Sequence, residues 1–425
     1  MPTDDRAYLQ GLLNATSAGD VCQLPSGPWY VGRAGSAYYG LTVPAGVTVR
    51  GAGAGTTILQ MPGTAASVRL FQLDGAGAVL DGLTLDGNAA NQSADEHRAG
   101  AFVTAAECTI RNVTAQNFTG DGLYLYTGAN SALVDACIAV DNVRNGITLA
   151  GGSGITVRGG EYWGNLAQQI DSEPGTPNHV DNVTIADVLI DTNGLDAYAL
   201  TVSGSGSAYR SSGWRITGCT ILGSVHVVWA DDVLIASNTI TNGTDKPGVD
   251  IYRTCADVTI ARNIIASTRT GVANLAGVQV MGTGTGQAPS NVLVADNVIT
   301  MAGTTVFGVR AQGCLSFAAV GNTITGSGAT ATGAVGVYLR ATNTAVPFAL
   351  AQLVANTITG FGNRGVSIAG NGAAQLTMFR GVGNTIGDAS SVQSVGMVLD
   401  DGNHPVQASN IVGNAYGAGV TSGAL

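Results

Sequence analysis

Two carboxylates near the middle of the chain have the spacing that acid–base chemistry needs. In the segment 169–175, QIDSEPG, Asp171 and Glu173 alternate with Ile170 and Ser172. Alternate residues of a strand face the same side, so the Cβ atoms of the two acidic residues would be ~6.5 to 7 Å apart. Carboxyl groups at that range suit an acid and a base that flank a glycosidic bond, and proximity of like charges raises the pKa of one of them. The alternative is that both are solvated residues before the Pro-Gly turn.

A second candidate pair consists of His226, one of only four histidines, and Asp250. Each is the outward residue of an apolar segment, VHVVWA and GVDIYRT, and the two segments are consecutive copies of one pattern. Stacked strands would place the two side chains ~4.8 Å apart, within reach of a hydrogen bond. Asp250 would then orient His226 for proton transfer. The alternative is a surface pair with no catalytic role.

Other outward positions of these segments carry aromatic, amide and guanidinium groups. Such groups suit stacking on sugar rings and hydrogen bonding to hydroxyl or carboxylate groups. The predicted substrate contacts are Tyr124, Tyr126, Tyr252, Gln279, Arg310, Tyr338 and Arg340. An insertion at 86–100 adds a charged loop that would overhang the same face or remain solvated. Its candidate contacts are Asp95, Glu96, His97 and Arg98.

These residues are positioned by a repeat. From about residue 100, apolar alternations such as DGLYLYTG, NGITLAGG, VHVVWA and VGVYLRA return every ~21 to 30 residues, the period of a coiled β-solenoid. Each repeat holds two or three strands separated by Gly, Asn, Asp and Ser, with no helical period between them. A βα solenoid and a TIM barrel are therefore disfavoured. The sequence predicts an all-β fold, a single-stranded right-handed parallel β-helix of about 12 coils.

A second apolar stretch of each repeat contains an asparagine followed by β-branched residues. Examples are SNTI at 237–240, RNII at 262–265, DNVI at 296–299 and GNTI at 321–324. Asparagine tolerates the left-handed conformation of a tight corner, and its amide can bond to the equivalent amide one coil away. We predict an asparagine ladder along the stack.

One core would run through all coils, so a single domain is predicted. Residues 1–40 form an N-terminal cap, 41–399 the β-helix, and 400–425 a C-terminal cap or tail. The open end of a parallel solenoid must be covered, and a short helix within Asp4–Thr16 is the predicted N-terminal cover.

Composition excludes several classes of partner. The formal net charge is −10 and Lys246 is the single lysine, so no basic surface is expected for nucleic acid. No apolar run is long enough to cross a membrane, and the N-terminus shows no signal peptide, so no membrane partner is expected. The six cysteines are dispersed without metal-ligand spacing; we expect buried thiols and no metal site.

The first ninety residues carry a resemblance. They read DDRAYLQGLLNAT at 4–16, LPSGPWYVG at 24–32, LTVPAGVTVRGAGAGTTIL at 41–59 and LDGLTLDGN at 80–88. This opening resembles the start of the pectate-lyase-like β-helix superfamily, which includes polysaccharide-degrading enzymes and phage tailspike depolymerases. The resemblance implies right-handed coils, a polysaccharide bound in a groove along one sheet, and an extracellular or virion-associated location. It does not choose between hydrolase, lyase, epimerase and binding protein.

Hydrolysis of a polysaccharide glycosidic bond by Asp171 and Glu173 is the first expectation. Asp250 is a third candidate carboxylate, and no cofactor is needed. A non-catalytic glycan-binding protein or a virion spike rod is a further alternative, because binding needs shape alone.

A polysaccharide lyase or uronate C5-epimerase is the other alternative. It would need a base, for which His226, Tyr124 and Tyr252 are candidates, and a positive charge from Arg310 or a calcium ion. The coils are broadly similar to those of alginate C5-epimerases, whose Asp-Pro-His-Glu signature is replaced here by Asp171-Ser-Glu-Pro. The missing histidine disfavours epimerase chemistry.

Two oligomeric states, a homotrimer and a monomer, are compatible with the sequence. Resemblance to tailspikes implies a homotrimer, whereas the absence of coiled-coil heptads or a long C-terminal β-prism segment favours a monomer.

Overall fold

A computed structural model shows that the chain is a parallel β-solenoid of about 13 turns with one short N-terminal helix. The predicted fold class is confirmed, with one turn more than the repeat count. The structure describes residues 4–63, 69–284, 286–328, 333–341, 348–369, 376–387, 394–400, 408–416 and 420–421. The chain divides into two compact units, 1–215 and 216–425. Whether they unfold as one domain stays a prediction.

The first unit contains the helix Arg6–Asn14 and a 3₁₀ turn at Ala89–Asn91. The strands that carry the candidate residues form its front sheet: Leu41–Thr42, Arg69–Leu73, Ala99–Val103, Leu123–Leu125, Ile147–Leu149, Ile170–Ser172 and Leu200–Ser203. The other long strands form its back sheet: Val21–Gln23, Gly27–Tyr30, Thr48–Arg50, Thr57–Gln60, Val79–Asp86, Thr109–Gln116, Leu133–Asp135, Ile138–Val140, Thr156–Arg158, Glu161–Trp163, Thr184–Ala186, Leu189–Asp191 and Ser211–Thr217. Gly152–Ser153 and Val180–Asp181 make a separate two-stranded sheet.

The second unit repeats this arrangement. Its front sheet contains Val225–Val228, Val249–Tyr252, Leu275–Met281, Val306–Gln312, Val335–Arg340, Arg364–Ala369, Ser394–Asp400 and Val420–Thr421. Its back sheet contains Thr220–Leu222, Ala230–Ala236, Thr239–Asn242, Ala256–Ala261, Ile264–Ser267, Ser290–Ala295, Val298–Met301, Ser316–Val320, Thr323–Gly328, Phe348–Val354, Thr357–Phe361, Leu376–Val382, Thr385–Gly387, Ala408–Val412 and Ala415–Tyr416.

The C-terminal segment differs from the expectation of a cap or tail. Ala408–Val412 and Ala415–Tyr416 continue the back sheet by pairing with Leu376–Val382 and Thr385–Gly387. The reason is that SNIVGNAY at 409–416 is a further copy of the repeat. The remainder of 400–425 lies largely outside the described residues.

The N-terminal helix lies within the predicted segment Asp4–Thr16, and this end of the chain covers the edge strands through hydrogen bonds. The Gln10 side-chain amide donates to the Thr42 carbonyl at 3.2 Å and accepts from the Thr42 amide at 2.9 Å. Asp5 pairs in the same way with Tyr30, at 2.8 Å through its backbone amide and 3.0 Å through its carboxylate. Edge groups that are bonded in this way cannot recruit another strand.

The strand register follows the predicted pleat. In the first unit Tyr124 lies beside Thr148, and Thr148 beside Asp171. In the second unit the aligned outward residues run His226, Asp250, Gln279, Arg310 and Tyr338. The flanking inward residues, such as Ile147 and Ile170, are fully buried.

The asparagine ladder forms in the second unit. At each step the backbone amide and the Nδ2 group of one asparagine donate to Oδ1 of the next at 2.9 to 3.1 Å. The members are Asn238, Asn263, Asn297, Asn322, Asn356, Asn384 and Asn414.

The predicted left-handed conformation at these asparagines is wrong. The residue before each asparagine adopts it instead, for example Ser237 at φ 58°, Asp296 at φ 55° and Ala355 at φ 54°. Because the asparagine must turn inward to bond its buried amide, the sharp corner falls on the preceding residue.

We predict that Asn297→Ala lowers the free energy of unfolding by about 2 to 4 kcal/mol, because it leaves two donors of Asn263 and the Ile260 carbonyl without their partner. Thermal unfolding followed by circular dichroism measures the effect. Asp296→Asn is the matched control, since this neighbour is exposed and asparagine tolerates its left-handed backbone. Equal melting temperatures for Asn297→Ala and wild type would contradict a stabilising role of the ladder.

Candidate functional site

The first unit has a cleft of about 580 Å³ on its front sheet. Five of the predicted residues line it: Glu96, His97, Tyr124, Tyr126 and Glu173. The remaining lining residues are Arg69, Ala99, Phe102, Thr104, Arg144, Ala150 and Gly175. The outward residues of successive strands therefore meet the insertion loop in one concave surface.

Asp171 is a buried carboxylate two residues before Glu173, and it is not itself among the residues that line the cleft. It occupies the centre of strand Ile170–Ser172, yet only 7 % of its surface is exposed, because Thr148 and Thr201 lie beside it on the adjoining strands. Asn145 donates to its Oδ2 at 3.4 Å. Burial, and then the negative charge of Glu173, raise the pKa of Asp171 to about 7. The solvated-turn alternative is therefore wrong for Asp171.

Glu173 has the opposite environment. Its side chain is 47 % exposed and makes a hydrogen-bonded ion pair with Arg144. The other side of the same guanidinium bonds Asp121, with 2.9 Å between Nη1 and Oδ2. Burial raises the pKa of Asp121 to about 6 against the opposing charge of Arg144. One arginine therefore ties an exposed carboxylate to a fully buried one.

Neither Asp121 nor Arg144 is among the residues predicted from the sequence. Both lie in the corners that precede the strands Leu123–Leu125 and Ile147–Leu149. The sequence prediction rests on the alternation of residues within strands, so it does not extend to corners. The available signal was a charged residue just before the apolar start of two consecutive repeats, in DGL and RNGI.

Three aromatic rings form one wall of the cleft. The ring centroids of Phe102, Tyr124 and Tyr126 are 5.4 to 6.2 Å apart. The Arg69 guanidinium lies over Phe102, with Cζ 3.3 Å from the ring centroid. Burial raises the pKa of Tyr124 to about 12. Phe102 and Arg69 were not predicted, since Arg69 precedes the region where the repeat is recognisable.

Some side chains of the charged insertion loop line the cleft, and others bond to residues of the loop itself. His97 lines the cleft, and its Nδ1 lies 3.3 Å from Oδ1 of Asp95. Arg98 is 6 % exposed, donates to the Ser93 carbonyl and hydroxyl, and lies 4.0 Å from Asp95. Asp95 and Arg98 hold the loop together and do not line the cleft, and ligand contact at these two residues stays a prediction.

The second unit contains the other predicted pair. The distance between His226 Nδ1 and Asp250 Oδ2 is 3.1 Å, which confirms the predicted hydrogen bond. Gln279 donates to the other Asp250 oxygen at 3.0 Å, and the Tyr252 ring lies 6.0 Å from the imidazole. The carboxylate is buried and fixes the imidazole orientation. Catalytic roles for this pair stay predictions.

Arg310, Tyr338 and Arg340 lie on adjoining strands of the same sheet. Arg310 is beside Tyr338, and Arg340 is two residues further along, beside Gln312. The Arg310 guanidinium stacks over Phe307 with 5.1 Å between Cζ and the ring centroid. Substrate contacts at these residues stay predictions.

The described residues contain no group of three or more His, Cys, Asp or Glu side chains that could hold a metal ion. Calcium therefore stays a hypothesis attached to the lyase and epimerase alternatives. All six cysteines are free and buried, as predicted. Within the part of the chain that is described, no helix has the length and apolar character to cross a membrane.

Comparison with solved structures finds this fold in proteins of low sequence identity. The A-module of the mannuronan C-5 epimerase AlgE6 from Azotobacter vinelandii has a TM-score of 0.58 at 18 % identity, over 97 % of this chain and 95 % of that module. The AlgE4 A-module from the same organism has a TM-score of 0.55 at 18 % identity, over 95 % and 96 %. The Agl-KA catalytic domain has a TM-score of 0.55 at 14 % identity, over 75 % of this chain and 62 % of that chain. The sequence matches no family model and no curated protein. At these identities the likeness shows the fold alone.

We predict that Asp171→Asn makes the protein more stable above neutral pH. An acid with a raised pKa binds its proton more tightly in the folded state, so its contribution to stability falls as pH rises from the unfolded value of 3.8 to about 7. Asparagine does not titrate, so the variant should gain a few kcal/mol over wild type at about pH 8 and roughly a third as much at about pH 5. Melting temperatures across this range measure the effect.

Asp187→Asn is the control for this pH dependence, because Asp187 is an exposed corner residue of the same unit. The same difference between Asp171→Asn and wild type at both pH values would show that Asp171 does not carry a raised pKa.

Proposed function

We propose that the chain is a polysaccharide-acting enzyme that hydrolyses glycosidic bonds at the cleft of its first unit. The observation that carries the proposal is the unlike environment of two carboxylates two residues apart. Burial keeps Asp171 protonated up to about pH 7, whereas Glu173 is exposed and paired with a guanidinium. When one carboxyl group is buried and protonated and its neighbour is exposed and ionised, the first can act as the acid and the second as the base.

The proposed reaction uses each group once. Asp171 donates its proton to the glycosidic oxygen of the leaving sugar, and Glu173 accepts a proton from the water that attacks the anomeric carbon. Arg144 holds the Glu173 carboxylate in place and is itself held by Asp121. The proton then returns through solvent from Glu173 to Asp171.

The shape and lining of the cleft support an extended glycan as substrate. The rings of Phe102, Tyr124 and Tyr126 offer apolar faces on which sugar rings stack. The fold likeness to two modules that act on mannuronan agrees with a polysaccharide ligand. An extracellular or virion-associated location accords with such a substrate, and the choice between monomer and homotrimer stays open.

A lyase or epimerase is the second candidate, and Arg69 favours it. Among the residues described, no carboxylate pairs with this guanidinium, so it could bind the carboxylate of a uronate. Both reactions also need a base to remove a proton beside that carboxylate. Tyr124 suits this role poorly, because burial raises its pKa to about 12. Hydrolysis is therefore the proposal that the cleft supports best.

Product analysis on a panel of capsular, plant and algal polysaccharides tests the reaction class. Hydrolysis gives new reducing ends without ultraviolet absorbance, whereas a lyase adds an unsaturated chromophore. An epimerase preserves chain length and changes the sugar configuration. Binding of a glycan without any of these products would leave only the non-catalytic alternative.

We predict that Asp171→Asn and Glu173→Gln each lower kcat by about 10²- to 10⁴-fold while glycan binding persists. Both substitutions keep the size of the side chain and remove the titrating carboxyl group. Initial rates on a substrate found by the panel, with binding measured by calorimetry, separate the two effects. The matched controls are Asp187→Asn and Glu161→Gln, exposed residues of the first unit that do not line the cleft. Wild-type turnover in both cleft variants would move the reaction centre elsewhere.

A further inference from the structure

Within the described part of the chain, several arginines pair with aspartates, and two on the front sheet of the second unit do not. On and near the back sheets, Arg50 and Arg111 both bond Asp81 at 3.1 and 2.9 Å, Arg158 bonds Asp135 at 3.0 Å, and Arg269 bonds Asp245 at 2.9 Å. Arg310 and Arg340, on the front sheet of the second unit, pair with no carboxylate among the described residues.

Arg310 and Arg340 are close enough to repel each other. They lie on adjoining strands, with Arg310 beside Tyr338 and Gln312 beside Arg340. Burial, together with the positive charge of Arg340, lowers the pKa of Arg310. Such a pair costs free energy unless an anion lies between the two charges.

Arg310 also has unused hydrogen-bonding capacity. Its Nε atom is buried and has no hydrogen-bond partner, and its Nη1 atom makes only a long 3.5 Å contact with the Asn274 carbonyl. Stacking on Phe307 holds the plane of the guanidinium, so its donors are oriented in advance. A planar carboxylate is the anion that such donors match.

The surroundings of the two arginines fit a sugar better than a small free anion. The Phe307 and Tyr338 rings are 5.2 Å apart, and Tyr338 is only partly buried beside them. An aromatic surface next to guanidinium groups can contact the apolar face of a sugar ring while the arginines bind its carboxylate.

We propose that Arg310 and Arg340 bind the carboxylate of an acidic sugar, which makes the front sheet of the second unit a binding site for acidic polysaccharides. The site is a further one, since it lies outside the cleft of the first unit. It rests on the proposed function only for the glycan nature of the ligand.

Isothermal titration calorimetry on the full chain tests the proposal. The probes are oligosaccharides of mannuronate, guluronate, galacturonate and glucuronate, each compared with a carboxyl-reduced neutral counterpart of the same length. The protein carries Glu173→Gln in every arm, so that turnover does not consume the probe. We expect at least one uronate to bind, and Arg310→Gln or Arg340→Gln to weaken it about 10- to 100-fold, as expected for losing charge-assisted hydrogen bonds. The reduced counterpart should bind weakly and equally to all variants.

Arg269→Gln is the matched control, because this arginine belongs to the same unit and is already paired with Asp245. It should leave uronate affinity unchanged. Arg310→Gln should melt at or above the wild-type temperature, since it removes a like-charge repulsion. A lower melting temperature would indicate a structural role and overturn the proposal, as would unchanged uronate affinity in both variants or no uronate binding at all.

The outcome is distinguishable from failure of the proposed hydrolysis. With Glu173 restored, Arg310→Gln should raise KM on an acidic substrate and leave kcat unchanged. Hydrolysis with unchanged KM would overturn only the second site. Uronate binding that depends on Arg310, without any turnover, would overturn only the hydrolase.

Discussion

Parallel stacking of coils in register is the constraint on which the rest of this structure depends. Backbone hydrogen bonds between coils place each residue directly beside its equivalent in the next repeat. An inward residue such as Ile170 therefore packs on Ile147, and an outward residue such as Asp171 lies beside Thr148. The burial, hydrogen bonding and charge pairing of a residue are therefore set mainly by its equivalents in the two neighbouring coils.

The same stacking satisfies polar groups inside the core. Each asparagine of the ladder presents an acceptor to the coil before it and a donor to the coil after it, so a buried amide is bonded at every step. Charged groups on the outside are also satisfied by the neighbouring coils, because Arg50, Asp81 and Arg111 alternate in charge on adjoining strands. Along that column each charge is adjacent to its opposite, whereas Arg310 and Arg340 have no such neighbour among the described residues.

Stacking also explains the electrostatics of the cleft. Side chains on adjoining strands cover Asp171 on both sides, so an outward residue of a strand becomes a buried carboxylate. Glu173 lies just beyond the end of the strand, where no such cover exists and Arg144 reaches it from the preceding corner. Two residues of chain thus separate a carboxyl group with a raised pKa from a paired carboxylate.

The sequence by itself determined the solenoid, the strand register, the asparagine ladder and the His226–Asp250 hydrogen bond. These features follow from local alternation and from a repeat whose equivalent positions must coincide, and both are visible in one dimension. Only the tertiary structure decided that Asp171 is buried, that Arg144 joins Asp121 to Glu173, and that Arg98 closes its own loop. Corners and insertions lack the alternation of apolar and polar residues that predicts side-chain directions in strands. Their side-chain directions depend on which coil lies beside them. Burial and charge pairing, which set the chemistry of a carboxylate, depend on those neighbours in space.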